Sequence, residues 1–337
     1  MINFFGQICL TIALASSLIQ TLGVVPHHIA RLGRPACQTT ALFTVSAFIT
    51  LCIGFILHSS TLLVVLNNSL PSDPWYIRLS GIWNNHISLM LVWMTFFSCF
   101  SSLYVIRSKH RNIDHLSRPV IGVQGFIQSG FLLYMVAFLS PFAHTADAGA
   151  LDITHVTFSF NLHHLLIYAA YMLISIVYAL IIGILIEGKR VTLLFNEALP
   201  WLKPSWVLLA IGATWGLMHG YAHNRNFLLH RGTVEHEALI TLGLMTVLML
   251  LLRYIERSRI VKKLVLLVGI LVFFQGLFGS LINQRVHPLI SDVRVPSLPE
   301  AKFLFLFIGL GITFSLMIYM GRVIRSLRKT GQDQSNA

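Results

Sequence analysis

The residues of this chain best suited to chemistry are histidines. Residues 160–171 read FNLHHLLIYAAY and set His163 and His164 side by side at the mouth of a long apolar run. A second stretch, GATWGLMHGYAHNRNFLLHRGTVEHEAL, carries Trp215, His219, His223, His230 and His236, together with Glu235 and Glu237. A third, RVHPLISDV, holds His287 with Pro288 fixing the turn after it, and a fourth, GIWNNHISLMLVW, holds Trp83, His86 and Trp93. Imidazole is the commonest metal ligand and the side chain that takes and releases protons near neutral pH. Histidines gathered in this way point to metal or metal-porphyrin handling, or to proton traffic. The competing reading is that they merely tolerate a wet membrane interface, as Trp and Tyr do. The His236–Glu237 pair is not a zinc-protease element, because H-E-x-x-H requires a second histidine at position 240 and Ile240 stands there.

The elements that must position these groups are membrane helices. The composition is 55% hydrophobic and 11% charged, with a mean hydropathy of +0.75. Soluble domains carry roughly a quarter charged residues. A span needs about 20 mostly apolar residues. Runs of that kind fall near 4–25, 40–66, 86–106, 119–142, 163–186, 205–222, 237–253, 261–283 and 301–321. The expected fold is therefore all-α, a polytopic membrane helix bundle of about nine transmembrane helices. It forms one membrane-embedded domain over 1–329 with a polar tail at 330–337. The first run has no Lys or Arg before it and no small-residue cleavage site, so it reads as a retained helix.

Charge orients the bundle. The loops around 31–34, 107–118, 189–203 and 253–263, with the tail at 322–329, hold 18 of the 24 Lys and Arg residues. Cytoplasmic loops collect such residues, so the N-terminus is expected outside and the C-terminus inside. On that map 11 of the 15 histidines lie at or beyond the outer face. The net charge of +12 is accounted for by loop charges, and there is no basic, aromatic patch of the kind that binds nucleic acid. The four cysteines form no C-x-x-C pair and suggest neither a redox motif nor a disulfide framework. The spans are nearly free of Asp and Glu, which argues against a transporter or proton channel of another kind.

Taken in order, the four stretches resemble the CcmF family of cytochrome c maturation proteins. The family pattern "VA-NS-LP--Y--SG-WG-HEGS-LLW" is similar to VVLNNSLPSDPWYIRLSGIWNNHISLMLVW here, with Pro71, Ser80, Gly81, Trp83, His86, Ser88, Leu91 and Trp93 matching. The family's "HPP-LY-GYVGF" is similar to HHLLIYAAYML, which places its histidine on His163. The family's "SVHAFASD" is similar to RVHPLISD, which places a second histidine on His287. The family's Trp-rich outer loop departs most: this chain keeps Trp215 and the Val234–Glu235 pair, with His219, His223 and Phe227 as partial substitutes. The family's haem b ligand falls on Leu250. The resemblance covers nearly the whole chain and corresponds to roughly the N-terminal half of a full CcmF.

The resemblance implies a membrane subunit of a cytochrome c maturation (haem lyase) system that binds haem at the outer membrane face for covalent attachment to apocytochrome c. No residue is assigned a catalytic role, and the chain acts as part of a haem lyase complex rather than as a stand-alone enzyme. His163 and His287 are the expected ligands of the haem iron, with Trp83, His86, Trp215 and Glu235 around the cofactor. Implied partners are a haem-delivery chaperone, apocytochrome c, a possible separate subunit like the C-terminal half of CcmF, and membrane lipid, with no nucleic acid. The expected location is a bacterial inner (cell) membrane or a mitochondrial inner membrane. The alternative is a non-catalytic scaffold subunit of a cytochrome assembly complex that no longer binds haem.

Overall fold

A computed structural model of the chain describes residues 1–22, 32–83, 85–110, 114–145, 162–187, 192–223 and 234–276. All the regular elements among them are helical: α1 (Ile2–Thr21), α2 (Gly33–Ile56), α3 (Leu63–Asn68), α4 (Trp75–Ser80), α5 (His86–His110), α6 (Asp114–Ala137), α7 (Leu162–Glu187), α8 (Leu193–His223), α9 (Val234–Arg253) and α10 (Arg259–Phe274). The eight long helices answer to the first eight apolar runs of the sequence, and six of them are long and apolar enough to cross a membrane. The run at 301–321, His287 and the tail at 330–337 lie outside the described residues.

Two boundaries differ from expectation. The second run was expected to continue to 66, yet α2 stops at Ile56. His58 then adopts φ 48°, a left-handed conformation that cannot continue a right-handed helix. The chain re-enters as the short helix α3 after Leu62 pairs with His144 in an isolated bridge. The sixth run was expected to begin near 205, whereas α8 begins at Leu193 and passes through Pro200 and Pro204. Each proline removes one backbone donor, and the helix is 31 residues long.

Helix α7 is the hub. It has the highest mean hydropathy of the candidate spans, 2.6, and 89% of its apolar window is buried. A helix that is apolar on every side belongs in the middle of a bundle. It packs against α5, α6, α8 and α10, while α1 pairs with α2 and α6, and α9 pairs with α8 and α10. Between α1, α2, α5, α6 and α7 runs a buried polar seam. Gln20 Nε2 donates to the carbonyl of Ile121 at 3.1 Å, Thr44 and Ser98 share a hydroxyl bond at 2.5 Å, and Ser101 donates to Gln124. Gln124 Nε2 in turn reaches Ser175 Oγ at 3.4 Å, and Gln128 Nε2 reaches Ser101 Oγ at 3.1 Å. In hydrocarbon such bonds act as interhelical glue where apolar packing alone gives no preference for protein over lipid.

The antiparallel alternation gives the bundle two chemically different ends. At one end the start of α1 is tied to the segment after α2 by Asn3 Nδ2 donating to the carbonyl of Thr61 at 2.7 Å, and to the segment after α6 by Ser140 donating to Gln7 Oε1 at 2.8 Å. The same end receives the starts of α5, α7 and α9 and the end of α8. Apart from Arg78, the described Lys and Arg residues lie towards the other end, where Arg34 donates to Ser117 at 3.1 Å.

Candidate haem and metal-ligand site

The site is assembled from three helix termini at the histidine end. The first turn of α7 supplies His163 and His164, the first turn of α9 supplies Glu235, and the last turns of α8 supply Gly216 and His219. His163 and Glu235 are buried, with only 5% and 3% of their surfaces exposed. His163 Nε2 lies 3.2 Å from Glu235 Oε1, and His164 Nε2 lies 3.3 Å from the same oxygen. The other carboxylate oxygen, Oε2, is buried with no hydrogen-bond partner among the described residues. The position of Glu235 in the first turn of α9 sets its negative charge against the positive end of that helix.

Small residues on α8 let this cluster close. A Cβ built on Gly216 would fall 2.6 Å from Glu235 Cγ and 2.7 Å from His163 Cδ2. One turn earlier, a Cβ on Gly212 would fall 2.9 Å from Ile167 Cγ1 and 3.0 Å from the carbonyl oxygen of His163. Helix α8 therefore lies against the start of α7 at a distance only glycine allows. The His163 ring sits 4.2 Å from the His164 ring and 6.0 Å from the His219 ring, centroid to centroid.

Two features extend the cluster. On one side, His164 stacks on Tyr168 at 6.0 Å, and Tyr168 lies 4.8 Å from Trp93 of α5. On the other, an open groove of about 740 Å³ runs along α8, lined by Ala210, Ile211, Thr214, Trp215, Met218 and His219. Trp215 is 46% exposed and forms part of the groove wall.

Of the residues singled out from the sequence, His163 and Glu235 are in direct contact, and Trp215 stands beside them on the face of α8. Trp83 is half-buried against the core just before α5, and the backbone of His86 opens α5 at the same end of the bundle. His287 lies outside the described residues. Sequence reasoning left His164 without a use, and the structure gives it a place on Glu235. Its signal was faint, because two histidines adjacent in a helix point about 100° apart and converge on one oxygen only if the partner helix arrives between them. Glu237, the other acid of the HE pair, accepts from Gln275 and is not part of the cluster.

No family model matches the chain. Over 97% of its length it is 26% identical to the cytochrome c-type biogenesis protein CcmF of Haemophilus influenzae, and over 98% it is 26% identical to the cytochrome c-type biogenesis protein CycK of Bradyrhizobium diazoefficiens. It is 25% identical to CcmF of Escherichia coli over 94% of its length. The chain is CcmF-like. A solved structure of the cytochrome c haem lyase CcmF shares its fold, with a TM-score of 0.72 over 93% of the chain at 19% identity. The chain spans about half the length of these relatives, 52% of the first two and 51% of the solved chain. This CcmF-like chain is thus a diverged, multi-pass, all-α membrane protein that shares the fold of that solved structure.

Proposed function

We propose that the chain is the haem-holding membrane subunit of a cytochrome c maturation system. The reading rests on one observation: a buried imidazole, His163, is held by a buried carboxylate near an open face of α8 that carries Trp215 and His219. Metal-bound histidines commonly engage a carboxylate through the second ring nitrogen, which fixes the ring and raises its basicity. Glu235 stands in that relation to His163. An iron porphyrin needs an imidazole ligand, a flat apolar bed and a wet edge; with Nε2 on Glu235, the nitrogen that His163 has left to offer is Nδ1. His163 would be one ligand and His287 the other, with Trp215, Trp83 and His86 around the macrocycle and His219 at the groove's edge. Bound haem supplies the iron and the vinyl groups that form thioethers; this chain's residues hold it, orient it and exclude lipid from one face.

In this reading the histidine end faces outward, because the described Lys and Arg gather at the opposite end and cytoplasmic ends collect such residues. The membrane is a bacterial inner membrane or a mitochondrial inner membrane. The partners are a haem-delivery chaperone, apocytochrome c and a separate subunit corresponding to the half of the relatives that this chain does not cover. The test is a pyridine haemochrome spectrum of the purified protein beside His163→Ala and His287→Ala. A Soret band in the wild type that is lost in both variants is expected. A colourless wild type, purified where haem and its partners are plentiful, favours the second reading, a scaffold subunit. That reading draws on the single tryptophan kept in the 212–239 stretch and on the engagement of His163 Nε2 by Glu235.

A further inference from the structure

We infer that His163, His164 and Glu235 form a binding site for a transition-metal dication in the haem-free protein. Their candidate ligand atoms all lie within 4.8 Å of one another. Ligands about 2.0–2.2 Å from a tetrahedral metal stand a little over 3 Å apart, and the two nitrogen–oxygen separations here are 3.2 and 3.3 Å. Hydrogen bonding to Oε1 gives the same distances, but it leaves Oε2 buried without a partner.

Glu235 is only 3% exposed, in the first turn of α9, and the two imidazoles that reach it can both ligate a metal. Both nitrogens crowd one oxygen, while Oε2 is buried and unpartnered. A dication seated among the three residues takes a lone pair from each nitrogen and draws on the carboxylate. It also brings Oε2 into reach as a second oxygen ligand. Two imidazoles and a carboxylate suit zinc, iron(II), cobalt(II) or nickel(II) rather than magnesium or calcium. Two imidazole nitrogens and the two carboxylate oxygens supply four donor atoms. The site is distinct in kind from haem ligation: the dication uses Glu235 as a direct ligand and takes the His163 nitrogen that the carboxylate otherwise holds.

The test uses cobalt(II), whose visible absorption reports a low-coordinate protein site. Full-length, tag-free protein purified in detergent from haem-depleted cells is stripped with chelator and titrated with cobalt chloride. About one equivalent should bind with visible bands, and added zinc should bleach them. His164→Ala, at a half-buried position, should lower the affinity by about tenfold or more. Glu235→Gln keeps the shape of the side chain and should abolish the bands. Folding of each variant is followed by size-exclusion elution and circular dichroism. A folded wild type with no cobalt bands overturns the inference, as do bands that persist unchanged in both variants. Haem content, read separately by pyridine haemochrome on haem-replete protein, keeps the two readings apart: haem without cobalt bands sinks only this inference, and cobalt bands without haem sink only the haem reading.

Discussion

Substituting Gly216 by alanine sets two effects of known size against each other. Alanine in place of glycine inside a helix gains about 1 kcal/mol from backbone propensity. Against that, the new methyl would stand 2.6 Å from Glu235 Cγ and 2.7 Å from His163 Cδ2. Carbon atoms settle at about 3.5–4.0 Å, so α8 or the buried pair must move by about 1 Å. Overpacking of this kind costs about 1–3 kcal/mol, and Gly216→Ala should end as a net loss of up to about 2 kcal/mol. Gly243 on α9 provides the control, since a Cβ there meets nothing within 4 Å among the described residues. Gly243→Ala should gain the propensity term alone. The difference between the two variants isolates the packing term, because the propensity gain is common to both. Thermal unfolding in detergent, followed by fluorescence-detected size exclusion, should move the midpoint down for Gly216→Ala and up for Gly243→Ala. Upward shifts of equal size in both would refute the close approach of α8 to the His163–Glu235 pair.

Further outcomes follow from the same geometry. Trp215→Ala should leave the unfolding midpoint almost unchanged, because the indole is 46% exposed, while weakening haem retention by the few-fold that an aromatic contact of about 0.5–1.5 kcal/mol represents; unchanged retention would remove the groove from the haem site. Gln124→Leu should cost about 1–2 kcal/mol, since bonds of this type in bilayers average about 0.6 kcal/mol and Gln124 makes two. Ser175→Ala should cost less, and a loss above that of Gln124→Leu would mean the seam is held differently. His58, in the connection after α2, has its pKa lowered by burial, with Arg78 adding to the effect and Asp73 opposing it. The unfolded chain then binds the proton more readily, so the His58 contribution to stability is present above the ordinary histidine value near 6.5 and is lost as pH falls through the folded value. The unfolding midpoint of the wild type should drop on acidification more than that of His58→Asn, which also tolerates the left-handed backbone at φ 48°. Parallel pH profiles would count against this.

Much of the helical plan was legible because membrane spans announce themselves by length and hydropathy. The first eight apolar runs each overlap a long helix, and the loop charges separate two ends that the packed bundle also separates. Boundaries were less legible. The apolar sequence of 57–66 continues the signal of α2, but Leu62, Val64 and Val65 are buried under the end of the bundle rather than extending the helix. Hydropathy reports burial from water and does not distinguish lipid from protein. In α8 the reverse holds: Glu197 and Lys203 dilute the apolar signal, yet Ala198, Trp201 and Leu202 are buried and draw the helix back to Leu193.

For the site, the family resemblance carried by the motifs and their order along the chain already set His163, Glu235 and Trp215 apart. What the sequence determined by itself was the chemistry on offer and the end of the bundle where it lies, since both depend on composition and on the alternation of spans. Only the tertiary structure decided that two histidines share one carboxylate across 71 and 72 residues of sequence. That convergence depends on the rotation of α7 and α9 about their axes and on the closeness that Gly212 and Gly216 allow to α8. Helix rotation is set by packing against neighbours, and no one-dimensional pattern encodes it.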